Sequence, residues 1–307
     1  EAVMREAAPL RRAILEELRR LTPDDEGPAA WRRGRDWFRT RWDPGQDHPV
    51  FVRRAGAPDG PETVLIDGPA LAREHPAFGL ADVQVAPDGG RLAFTFDPTG
   101  RKLHELRFRE MAGERDGPDR LSGVEALTAW AADSRTILYV RADPVTLRPC
   151  RVFRHRLGDD PSRDALVYEE GDEAFRCFVC ATRSGRWILI HSYAADAEEV
   201  RLLDAAAPDG QPVVVCPRAS CAYEVDDDGT RILILTDRDA PTFRVVEADS
   251  AAAPPEAWRP VVAAAPGYFI EQAAGFRDYL ALIERGEGRQ RVRIVDRADG
   301  ASHEIRF

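Results

Sequence analysis

Lysine is nearly missing from this chain of 307 residues: Lys102 stands alone among 43 basic residues, and arginine supplies the rest. That bias fits the composition of a genome and carries no function. Long apolar runs are missing too. Nothing approaches the roughly 18 consecutive apolar residues of a spanning helix, so no membrane partner is expected. The opening "EAVMREAAPLRR" carries charge where a signal peptide has its apolar region. Clustered positive charge is absent, and the net charge of −10 argues against a nucleic-acid surface. Such acidity suits a cationic partner, or simply solubility. Five irregularly spaced cysteines make no disulfide framework and suit a reducing cytoplasm. Cys177 and Cys180 form a C-x-x-C in "FRCFVCAT", but strand residues three apart face opposite ways, which is wrong for shared chelation. Cys216 and Cys221 lack the spacing of a zinc knuckle. All are read as buried thiols, with no metal and no cofactor.

Catalytic signatures are equally scarce. The chain has no G-x-S-x-G elbow, P-loop, G-x-G-x-x-G or H-E-x-x-H. Six histidines (His48, His75, His104, His155, His191, His303) are scattered over different segments, and Ser184 sits in a hairpin-like "TRSGRW". No catalytic residue is assigned.

What is present is pattern. Ala8, Leu10, Ile14, Leu15, Leu18 and Leu21 recur at steps of three and four, predicting an amphipathic helix that Thr22-Pro23 ends. Its apolar stripe needs another body to dock on. Residues 1–30 are read as this helix and a linker. From Trp31 onward, short runs of β-branched and aromatic residues alternate with Gly, Pro, Asp and Ser. "VAPDGGRLAFTF" returns as "AADSRTILYV", "ATRSGRWILI" and "DDDGTRILIL". Asp88, Asp133, Ser184 and Asp228 anchor copies 45, 51 and 44 residues apart, and Phe276 anchors a weaker one 48 residues on. Each copy reads as strand, tight polar turn, apolar strand, loop, third strand and, in several copies, a fourth. That unit is a β-propeller blade. The fold class is therefore all-β, a propeller over residues 31–307 with about six blades in view. The Asp-Gly turn is structural: it supplies φ > 0 residues for a hairpin. The chain opens without an initiator Met and closes inside a strand-like segment, so a longer polypeptide is expected.

An acidic residue lies in or near the start of each inner strand: Asp82, Glu125, Glu173, Glu224 and Glu271. Inner strands line a propeller's central channel, so these form a candidate substrate-channel ring favouring cationic peptides. Charged, solvated strand starts are the alternative.

"YVRADPVTLRPCRVFRHRLG", "LVYEEGDEAF" and "EVRLLDA", together with "DWFRTRWDPG" and the helix before it, resemble the propeller region of oligopeptidase B. That is the basic-residue-specific branch of the prolyl oligopeptidase family of serine peptidases. The resemblance implies a seven-bladed propeller that covers an α/β-hydrolase domain with a Ser-Asp-His triad. It implies cleavage of short peptides after Arg or Lys, with the propeller excluding large proteins. The triad belongs to a domain absent from these residues, and Glu125 is the candidate contact to it. The rival expectations are a free-standing propeller scaffold that binds proteins and a different peptidase of the superfamily, such as a dipeptidyl or acylaminoacyl peptidase, whose propeller is expected to lack the "DPVTLRP" segment.

Overall fold

The structure of the protein, a computed structural model, describes residue 5 and residues 7–21, 27–112 and 116–306. The expected helix stop at Thr22-Pro23 lies outside these residues. Helix α1 (Ala8–Leu21) buries none of its side chains, and Leu10, Ile14, Leu15, Leu18 and Leu21 all remain exposed. The stripe read from the sequence is thus an uncovered face.

Strands begin at Trp31 and form six antiparallel blades. Blade 1 holds β1 (Trp31–Arg33), β2 (Asp36–Arg41), β3 (Val50–Arg54) and β4 (Glu62–Asp67). The short helix α2 (Gly68–Ala72), capped by Asp67, leads to blade 2. Blade 2 holds β5 (Gly79–Val85), β6 (Arg91–Asp97), β7 (His104–Glu110) and the first part of β8 (Asp116–Trp130). The rest of β8 opens blade 3, followed by β9 (Thr136–Ala142), β10 (Pro149–Arg156) and β11 (Ala165–Glu169). Blade 4 is β12 (Arg176–Ala181), β13 (Trp187–Tyr193), β14 (Glu198–Asp204) and β15 (Val213–Ala219). Blade 5 is β16 (Tyr223–Asp227), β17 (Ile232–Thr236), β18 (Arg244–Ala248) and β19 (Arg259–Val262). Blade 6 is β20 (Tyr268–Gly275), β21 (Tyr279–Gly286), β22 (Arg289–Asp296) and β23 (Ser302–Glu304).

β8 is the departure from the repeat. It pairs with β7 up to Val124, then shifts register and pairs with β9 from Thr128, so blades 2 and 3 share one seven-stranded sheet. Gly123, at φ 71°, sits just before the shift.

The apolar second strands are explained by which side of the blade each residue faces. In β6, Leu92, Phe94 and Phe96 pack with Phe38, Phe51 and Leu65 of blade 1, while Ala93 packs toward blade 3. In β9, Ile137 and Tyr139 face blade 2, whereas Leu138 and Val140 face blade 4. In β17, Ile232 and Ile234 face blade 4, and Leu233 and Leu235 face blade 6. Alternate side chains leave a strand on opposite sides, so a strand packed between two neighbours must be apolar throughout. Each such Leu, Ile or Phe contributes about 1.5–3 kcal/mol by leaving water. Among the described residues no such core joins blade 6 to blade 1. The outward face of blade 6, with Ala281, Ile283, Val292 and Ile294, is only half-buried.

The repeated turns share one hydrogen bond. The anchor side chain accepts the N–H two residues on: Asp88 from Gly90 (2.8 Å), Asp133 from Arg135 (2.9 Å), Ser184 from Arg186 (3.0 Å) and Asp228 from Thr230 (2.8 Å). The residue after the anchor is left-handed, and is Gly89, Gly185 or Gly229 except in blade 3, where Ser134 stands at φ 55°. Ser134 is buried and staples two blades. Its Oγ accepts the N–H of Asp88 (2.9 Å) and its carbonyl accepts Nη1 of Arg91 (3.1 Å). Ser134→Ala keeps the unfavourable φ and orphans a donor, so denaturant unfolding should show a loss of about 1–2 kcal/mol. Ser134→Gly loses the same bond but relieves the backbone, so its loss should be smaller.

Candidate functional site

The inner strands β5, β12, β16 and β20, with the second part of β8, carry the polar residues that the interblade cores cannot accept. Asp82 on β5 is half-buried and receives Gln84 Nε2 at 3.0 and 3.2 Å on its two oxygens. Burial raises its carboxyl above the usual range, against the lowering effect of Gln84 and of the backbone N–H groups of Thr128 and Val83. Glu125 lies where β8 shifts register and is half-buried; burial raises it, while His104 and Arg176 pull it down. Glu224 on β16 has an exposed side chain, yet its carboxyl is raised as well, by desolvation first and the neighbouring Asp226 second, against the lowering effect of Arg183.

Asp82 and Glu224 act on one common group. The Cys180 thiol on β12 is pushed up to about 11, by burial first and then by Asp226, Asp82 and Glu224. Residues of blades 2 and 5 therefore act on one thiol of blade 4, as strands around a common axis would. Asp226 is engaged, accepting the Arg183 N–H at 2.8 Å and its Nε at 3.2 Å. Among the described residues no arginine, lysine or histidine forms an ion pair with Asp82, Glu125 or Glu224. Asp82 and Glu125 are half-buried and Glu224 is exposed, and all three lack a direct ion pair, an arrangement that attracts guanidinium or ammonium groups.

The other two candidates sit differently. Glu173 lies in the turn before β12 with an exposed side chain. Glu271 sits at a bulge of β20 and is held by Arg285 and by Gln290 (2.6 Å), which keep its carboxyl below the usual range. Its charge is already balanced. The sequence reading missed Asp226 and Gln84, for which strand alternation from Glu224 and from Asp82 was the signal; it read Cys180 as a buried thiol without placing it beside these carboxylates.

Nothing described here supplies a nucleophile. Buried His155 presents Nδ1 to Asp164 Oδ1 at 2.8 Å, and the Tyr139 hydroxyl donates to Asp164 Oδ2 at 2.7 Å. No serine among the described residues is hydrogen-bonded to a histidine. Ser184 accepts only its turn N–H. Cys177 packs between blades 3 and 4, while Cys180 packs toward the core between blades 4 and 5. The two thus leave β12 on opposite sides.

The raised Asp82 carboxyl sets a pH test. Its folded pKa lies above its unfolded one, so the ionised form costs stability that the protonated form does not. The cost is absent below the ordinary carboxylate range and grows as pH rises through the folded pKa. Asp82→Asn should therefore raise the melting temperature at pH 7.5 and change it little near pH 3.5. An equal shift at both pH values would mean that ionisation is not the cause.

The family model of the prolyl oligopeptidase N-terminal β-propeller domain matches residues 1–307. The chain is 30% identical to dipeptidyl aminopeptidase BI of Pseudoxanthomonas mexicana, over 100% of this chain and 44% of that protein. It is 25% identical to protease 2 of Moraxella lacunata, over 95% of this chain and 43% of that protein. Oligopeptidase B of Leishmania major superposes with a TM-score of 0.87 at 26% identity, over 100% of this chain and 45% of that one. The chain thus spans under half the length of the relatives it matches, and the matched part is their propeller. With six blades, capped hairpins and a family model covering every residue, this chain belongs to the prolyl oligopeptidase family, as its N-terminal β-propeller domain.

Proposed function

We propose that this chain is the access-limiting propeller of a cytoplasmic serine oligopeptidase that cleaves short peptides after Arg or Lys. The observation that carries the proposal is the set of carboxylates without direct ion pairs, half-buried Asp82 and Glu125 and exposed Glu224, on inner strands of a peptidase-family propeller. Their field favours cationic peptides over neutral ones before any chemistry occurs. The chemistry is acyl transfer to a serine on an α/β-hydrolase domain of the same polypeptide, in line with the greater length of the relatives. The uncovered stripe of α1 and the half-buried outward face of blade 6 are surfaces that such a continuation would cover, the latter by a seventh blade. Glu125 is the proposed charged contact to that domain. No helix among the described residues is long and apolar enough to cross a membrane.

A second reading follows from the relative named as a dipeptidyl aminopeptidase: release of dipeptides from free N-termini. Blocked and unblocked Arg-containing peptides separate the two, since only an endopeptidase cuts both. A free-standing binding scaffold is the reading from another class, and a reading frame that stops after Phe307 would favour it.

Two outcomes test the proposal. Residues 1–307 alone should not hydrolyse an Arg peptide amide, and turnover abolished by a serine-directed inhibitor would overturn this. In the longer polypeptide, the combined Asp82→Asn, Glu125→Gln and Glu224→Gln exchange should lower kcat/KM for cationic peptides by about threefold or more at low salt. The effect should shrink at high salt, where such fields are screened. An unchanged low-salt value would remove these residues from substrate attraction.

A further inference from the structure

The two ends of the propeller differ in exposed apolar surface. One end carries the repeated hairpin turns, built from Asp, Gly, Ser and Arg. The other carries the starts of the inner strands and the loops between second and third strands. Exposed Leu103, Leu127, Val145, Leu147, Tyr193 and Phe269 all lie at this second end. Among the described residues the first end exposes fewer such side chains and none so extreme: Tyr279 beside the blade 6 turn at 39%, and Val213 and Val214 at the start of β15 at 39% and 40%.

Val145 and Leu147 are the extreme case, 87% and 57% exposed. They sit in the loop between β9 and β10, and that loop is braced rather than loose. Asp143 accepts the N–H of Val145 (2.9 Å) and of Thr146 (2.8 Å), and its carbonyl accepts the N–H of Leu147 (2.9 Å). Arg148 then ties the loop to the connector entering blade 4, donating to the carbonyls of Asp172 (3.1 Å), Phe175 (2.7 Å) and Glu170 (3.1 Å). Leu147 is held at φ 58°, a conformation that disfavours a side chain. Two apolar side chains in water, one on strained backbone, gain nothing for the propeller alone. A rigid loop that presents them has the character of a preorganised interface anchor.

We infer that Val145 and Leu147 are the apolar anchor by which this end of the propeller docks the hydrolase domain of the same polypeptide. The inference rests on the function proposed above. It assigns the occupant from three facts. More than half of each longer relative lies outside the matched region. The loop shares its end of the propeller with Glu125 and Glu224, at inner-strand starts. The opposite end exposes no apolar side chain as fully as Val145 or Leu147; Tyr279, Val213 and Val214 are exposed there to a lesser degree.

The test uses the longer polypeptide with Leu147→Asn, Val145→Asp with Leu147→Asp, and Leu166→Asp as a control on the exposed rim strand β11. Asn accepts the left-handed backbone, so Leu147→Asn should leave the melting temperature of the propeller unchanged. Both anchor variants should enlarge the radius of gyration in X-ray scattering and lower kcat/KM for a short Arg peptide by about tenfold. The control should match the parent. Anchor variants with parental compactness and kinetics would overturn the inference while leaving an active parent, and so the proposed function, intact. A parent without serine-type turnover would instead sink the proposed function, and scattering would still decide the docking. Self-association of the parent that the anchor variants abolish would identify a second copy as the occupant and overturn the assignment.

Discussion

Everything in this propeller depends on burying both faces of each second strand. A sheet in a sandwich buries one face and leaves the other to water. Here β6, β9, β13 and β17 each lie between two neighbouring blades, and alternate residues feed different cores. Removing one blade would therefore uncover its neighbours on both sides. Stability is shared along the ring, with each interface supporting the next.

That constraint sorts the chemistry. Apolar positions are committed between blades, so charged and polar groups collect on the inner strands, in the turns and at the two ends. The turns became staples, in which an Asp or Ser side chain replaces a backbone partner and Ser134 reaches across to the next blade. The inner strands kept carboxylates that form no direct ion pair among the described residues. Burial raises those carboxyls, and a propeller selected only for stability would have paired or removed them.

Much of this was legible in the sequence because the repeat has short-range causes. Asp88, Asp133, Ser184 and Asp228 mark hairpins through a bond spanning two residues, and the apolar runs after them have strand length. The fourth strand of blade 2 was not legible. "DGPDRLSGV" is polar and turn-rich, and it continues into the inner strand of blade 3 without the break that separates other blades. The acidic ring was legible only as a spacing. Asp82 and Glu224 converge on Cys180, but Glu173 lies in a turn and Glu271 is neutralised by Arg285, because strand starts and bulges shift by a residue or two between blades.

By itself the sequence determined the class of fold, the blade period, the N-terminal helix and the family resemblance. Each of these rests on short-range pattern: turn chemistry and strand alternation for the blades, three- and four-residue steps for the helix, and contiguous segments for the resemblance. Only the tertiary structure decided which carboxylates share an environment, which of them lack a direct ion pair, and which end of the propeller presents Val145 and Leu147. Those properties depend on distances between residues far apart in the chain, and packing successive blades side by side is what sets them.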